Sequence, residues 1–170
     1  MNPDLRALYP WVKFSRERLF AWAEALPDGV YTLERPDFAY GSLRNVQAHI
    51  ADCYVAWVAR RGLDLTDTAF VDTSAVPDVA AMREVYAGVD ALMERAFDQF
   101  TTPDEVFDLL WRDQVLQVTQ RWLVMHPVTH EFHHKGQLLT MGRVMGHPYP
   151  PGPDTDLGSP GDVMAAPSPT

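Results

Sequence analysis

Apolar residues recur at steps of three and four along four stretches of the chain, the spacing of amphipathic helices. In the first, from about Pro10 to Leu26, Trp11, Phe14, Leu19, Trp22 and Leu26 follow one side, with Arg18 in the same ladder. Pro10 suits a first-turn position, where its missing N–H is not needed, and Pro27-Asp28-Gly29 stops the run. Residues 30–41 read as a connection. Ser42 is an N-cap for the second helix, which runs to about Arg61 with Gly62 as its stop. Leu43, Val46, Ile50, Cys53, Tyr54, Trp57 and Val58 share its apolar side, and His49 sits in the middle of that stripe. After a polar linker over 63–76, a third helix is expected from about Pro77 to Gln99 or Phe100, where Thr102-Pro103 ends it.

The pattern then changes. Residues 106–118 are rich in Val, Leu and aromatics around a polar centre and predict a short hairpin. Thr119 is placed to cap a fourth helix reaching about Met145, in which Pro127 either kinks the helix or marks its true first turn. From Gly146 onward lie seven of the fourteen prolines, so this tail is expected to be extended, lying across the helices or disordered. The expectation is an all-α fold: a four-helix bundle over residues 1–146 and a Pro/Gly-rich tail over 147–170. The long second connection and the hairpin argue against a simple up-down-up-down order. No internal repeat is visible.

With 170 residues and 46 % hydrophobic content, the chain fits one domain with a real core. A net charge of −9 argues against binding nucleic acid through a basic face and against an anionic membrane surface. The longest apolar run, Tyr54 to Ala59, is far short of the ~20 residues of a membrane span. The N-terminal residues show no signal-peptide pattern, so the expected location is the cytoplasm. The single cysteine, Cys53, excludes an intramolecular disulfide and any Cys-based zinc ribbon.

The candidate chemistry is carried by histidine. His126, His130, His133 and His134 fall within nine residues. Helical residues four apart lie ~6 Å apart along the axis and only ~40° apart around it. His130 and His134 therefore project from one face, and two such imidazoles can hold one divalent metal. His49, mid-stripe on another helix, is the natural third ligand, leaving room for water or substrate. His126 extends the ladder by one turn and can be a ligand, a supporting residue or a cap. His133 points away from His130 and reads as supporting or external, and His147 as loop. Segment 130–134 also satisfies His-Glu-x-x-His, the zinc-peptidase pattern in which the Glu activates water. The extended form fails, because Gln137 and Thr140 stand where Gly and His are needed, and no Glu follows Glu131. Glu131 remains a candidate base for other chemistry. Cys53, one turn after His49, reads as a small buried residue. Asp52 is placed to orient an imidazole.

Two segments carry a resemblance: Asn45-Val46-Gln47-Ala48-His49-Ile50-Ala51-Asp52 and Thr129-His130-Glu131-Phe132-His133-His134-Lys135-Gly136-Gln137-Leu138. Together with Gly146-His147-Pro148 and Asp154-Thr155-Asp156-Leu157, they resemble the DinB/YfiT-like superfamily over most of residues 5–157. Pro127 and Lys135, the latter where Arg is common, depart from the pattern. The resemblance implies metal ligands His49, His130 and His134, a divalent metal, often zinc or nickel, a long crossing connection between the second and third helices, and a homodimer. Relatives include transferases that add bacillithiol, mycothiol or glutathione to electrophiles. The expectation is therefore a metal-dependent thiol S-transferase using a low-molecular-weight thiol and a small electrophile. The alternatives are a metal-dependent hydrolase with Glu131 as base, or a non-catalytic metal- or ligand-binding stress-response protein.

Overall fold

The computed structural model describes residues 3–150 and 157–165. Four long helices are present: α1 (Pro3–Glu24), α2 (Leu43–Tyr54), α3 (Val79–Gln99) and α4 (Gln120–Val144). A π-helical segment, Val55–Gly62, continues α2. An antiparallel hairpin of β1 (Phe107–Trp111) and β2 (Gln114–Val118) precedes α4, and a short α5 (Pro160–Ala165) closes the described chain. The protein is mostly helical, with this small sheet as the hairpin the sequence predicts. Among the described residues no helix is long and apolar enough to cross a membrane.

The helix starts are set by side-chain caps that accept otherwise unpaired backbone N–H groups. Ser42 accepts from Asn45 N at 3.2 Å, Asp78 from Ala81 N at 2.8 Å and Thr119 from Trp122 N at 3.1 Å. One expected boundary is corrected, and one of the two readings of Pro127 is excluded. The first helix begins well before Pro10, because Leu5, Tyr9 and Val12 continue the buried stripe and are each at most 3 % exposed; packing overrides the lost hydrogen bond. Pro127 neither starts nor ends α4, which runs through it with the proline ring buried. Gly62 ends the π segment for a packing reason as well, since a Cβ there would meet the Phe100 ring at 2.6 Å.

α2 packs against α4 and α3, while α1 packs against α3 and α4. A plain up-and-down ring would set α1 beside α2; here α3 and α4 separate them. Tyr54, Phe97, Met82, Met93, Leu123 and Leu138 fill the centre. The tail is not wholly extended. Gly158, with φ of 78°, approaches Phe14 so closely that a Cβ would sit 2.6 Å from that ring, Trp11 Nε1 donates to its carbonyl at 3.3 Å, and Val163 of α5 is buried. Residues 154–156, part of the resemblance, lie outside the described residues.

Candidate metal centre

The contact between α2 and α4 brings the predicted histidines together. His49 Nε2 lies 3.2 Å from His130 Nε2, which lies 3.1 Å from His134 Nε2. One ligand nitrogen from each of the three lies within 4.8 Å of the others. A tetrahedral zinc with Zn–N of ~2.0–2.1 Å separates its ligand nitrogens by about 3.3 Å. The separations of 3.2 and 3.1 Å match that spacing, and drawing the remaining pair, within 4.8 Å, closer together would let the set hold a single divalent ion.

Protonation and orientation favour the same use. Burial lowers the pKa of all three imidazoles, and their mutual proximity adds to it for His49 and His130. His130, surrounded by the other four histidines of the region, is pushed down to about 4. Neutral imidazoles present lone pairs, which a metal requires. His134 Nδ1 lies 2.7 Å from Gln137 Oε1, an acceptor, so Nδ1 carries the proton and Nε2 the lone pair. The same amide reaches His133 Nε2 at 3.2 Å. His133 thus braces Gln137 from the exposed side. His126 stacks at 6.3 Å and 16° from the His130 ring but stays outside the nitrogen cluster.

One member of the site was missed in the sequence. Tyr40, in the 30–41 connection, stacks on His49 with centroids 4.2 Å apart and sets its hydroxyl 2.9 Å from His49 Nε2. Its φ is 62°, unusual for a bulky side chain and a recurrent mark of functional sites. The conformation is held by Asn45 Nδ2, which donates to the Tyr40 carbonyl at 2.9 Å, and by Gly41, whose φ is 81°. The only sequence signal was the Tyr-Gly pair before the Ser42 cap.

Three other candidates lie elsewhere. Glu131 is not part of the cluster. Both its oxygens accept from Arg16, Nε at 2.8 Å and Nη2 at 3.0 Å, and Oε2 also accepts from the Tyr54 hydroxyl at 2.6 Å. Arg16 extends the network to Asp90 Oδ1 at 2.6 Å. Asp52 does not orient an imidazole; its Oδ1 accepts from Val71 N at 2.8 Å and anchors the connection after the π segment. Cys53 is buried, its thiol pushed up to about 12 by desolvation, and supplies no ligand to the cluster.

The model of the DinB family matches residues 1–157. No curated protein matches the chain significantly.

Proposed function

Because the chain belongs to the DinB family, we propose that His49, His130 and His134 hold one divalent transition metal, zinc or nickel, and that the protein is a thiol S-transferase acting on small electrophiles. The observation that carries this reading is the convergence of three neutral imidazole nitrogens, one of them braced by Gln137. When bound, the ion supplies a Lewis acid that favours the thiolate form of a low-molecular-weight thiol. Three protein donors leave a tetrahedral ion one place for such a ligand.

The chain's own residues orient the site. Gln137 fixes the His134 tautomer, and the Tyr40 hydroxyl beside His49 Nε2 is available to hydrogen-bond a molecule arriving there. In the transfer a carbon–sulfur bond forms, the bond from that carbon to its leaving group breaks, and the thiol proton departs with the leaving group. The hydrolytic alternative draws no support from Glu131, whose oxygens are taken up by Arg16 and Tyr54. The homodimer belongs to the same proposal and is read by light scattering.

The test is metal content by plasma mass spectrometry on untagged protein beside His49→Ala and His134→Ala, followed by thiol consumption with an activated aryl chloride. About one metal per chain, lost in both variants, with thiol consumed only by the wild type, is the expected result. Metal without turnover would leave a binding protein. No metal after reconstitution with zinc or nickel would overturn the reading.

A further inference from the structure

Beyond His126 the histidine ladder runs into a wall of tryptophan. The His126 ring lies 4.7 Å from Trp57 and 4.8 Å from Trp122, and Trp57 lies 5.0 Å from Trp122 and 4.9 Å from Trp111. Trp122 is 37 % exposed and Trp111 half-buried, so the wall is open to solvent along one side. Three elements build it: the π segment carries Trp57, the hairpin Trp111 and α4 Trp122.

Arg61 sits in this wall. Its guanidinium carbon lies 4.8 Å from the Trp57 ring and 4.3 Å from Trp111. One of its N–H groups donates to the Ala56 carbonyl. It forms no ion pair among the described residues, whereas Arg6, Arg16, Arg35, Arg44, Arg83 and Arg121 each face a carboxylate. Arg18, Arg60, Arg95, Arg112 and Arg143 share that lack among the described residues, and what sets Arg61 apart from them is its place against two tryptophan rings. Arg112, also without an ion pair among the described residues, adds a second guanidinium 4.9 Å from Trp111. A guanidinium has five N–H donors in a planar fork that matches a carboxylate.

The backbone around the wall is irregular on both sides. Trp57 and Arg61 stand on i→i+5 bonding, with Leu63 N reaching Val58 O at 2.9 Å, and π segments recur at functional sites. Trp111 precedes a two-residue turn in which Arg112 and Asp113 have φ of 47° and 64°, a conformation that ordinarily selects Asn-Gly. Two costly backbone features thus hold the same side chains.

We propose that Trp111, Trp122 and Arg61, backed by the buried Trp57, form a recognition subsite for an aromatic carboxylate, its ring on the two solvent-facing tryptophans and its carboxylate on the Arg61 fork, at the far end of the histidine ladder. The path from Arg61 through Trp57 and His126 to His130 has no step longer than 6.3 Å. This names a substrate class for the reaction proposed above and rests on that reading for the chemistry, but not for binding.

Binding is therefore tested on metal-free full-length protein by titration calorimetry with naphthoate, with the neutral naphthalenemethanol and with acetate. Naphthoate should bind about tenfold tighter than the alcohol, the scale of a charge-assisted pair, and acetate not measurably. Arg61→Met should erase that preference while leaving the alcohol's affinity in place, and Trp111→Ala should weaken both aromatic ligands. Equal binding of naphthoate and the alcohol, or a preference that survives Arg61→Met, overturns the proposal. Should a variant fail to fold by circular dichroism, the wild type decides alone: its preference must shrink in high salt, and a preference unchanged by salt overturns it. Naphthoate binding that requires zinc and vanishes in His134→Ala would put the carboxylate on the metal and likewise overturn the subsite. A protein that holds no metal yet prefers naphthoate would sink the transferase reading and leave the subsite standing.

Discussion

His130 and Glu131 are neighbours in sequence and stand in opposite kinds of environment. About 100° of helical rotation separates them. On one side of α4 the imidazole nitrogens face one another, and His130 Nδ1 is buried with no hydrogen-bond partner. On the other side the Glu131 carboxylate receives three hydrogen bonds inside a network in which Arg16 is 5 % exposed. The carboxylate side is saturated by the chain's own donors; the imidazole side is unsaturated, with one buried ring nitrogen unpartnered. The comparison teaches that the two halves of a His-Glu pair can divide between a closed ion-pair network and a cluster able to hold a metal.

The largest test of that division is Arg16→Met. Removing one partner of a buried pair typically costs about 3–5 kcal/mol, and Glu131 and Asp90 both lose a donor. Chemical denaturation should show that loss in Arg16→Met, whereas His134→Ala in metal-free protein should shift stability by less than about 1 kcal/mol. Comparable losses in the two would erase the contrast. Next in size is the response to zinc. A ligand at a hundredfold excess over its Kd adds about 2.7 kcal/mol; thermal melts should show this in the wild type and in a folded Glu131→Gln protein, and not in His134→Ala.

Tyr40→Phe removes one hydroxyl at the edge of the unsaturated side. The expected effect is a loss of about 1 kcal/mol, less than tenfold, in zinc affinity measured by competition with a chromogenic chelator. An affinity lowered a thousandfold would instead make Tyr40 a ligand. The smallest effect near neutral pH belongs to Cys53. Its folded thiol pKa, pushed up to about 12, exceeds the ordinary value of 9.0, so the unfolded chain releases this proton first. Folding is then undisturbed below pH 9 and loses stability as pH rises from 9 toward 12. Cys53→Ala should lessen that slope between pH 9 and 10, before the buried Tyr9, Tyr31, Tyr54 and Tyr86, raised by burial, add their own losses, and alkylation of the wild type at pH 8 should be far slower than that of a free thiol.

Much of this was legible in the sequence. The caps Ser42 and Thr119 fixed two helix starts, and His49, His130 and His134 followed from a four-residue step and a mid-stripe position. What was hidden depends on tertiary packing. Nothing local distinguishes Glu131 as a base from Glu131 as the partner of Arg16, 115 positions away. The π segment reads as ordinary helix, because its hydrophobic spacing over eight residues is too short to separate the two periods. The turn at Arg112-Asp113 lacks the glycine that announces such turns. Pro10 misled because its cost is local, while the burial of Leu5 and Tyr9 that outweighs it is not.

The clasp between Trp11 and Gly158 has a consequence for biosynthesis. The two residues it joins are 147 positions apart. At ribosomal rates of roughly 5–20 residues per second, α1 emerges on the order of 7 to 30 s before its cover. Until then Trp11 lacks the carbonyl it donates to and Phe14 the backbone that packs on its ring.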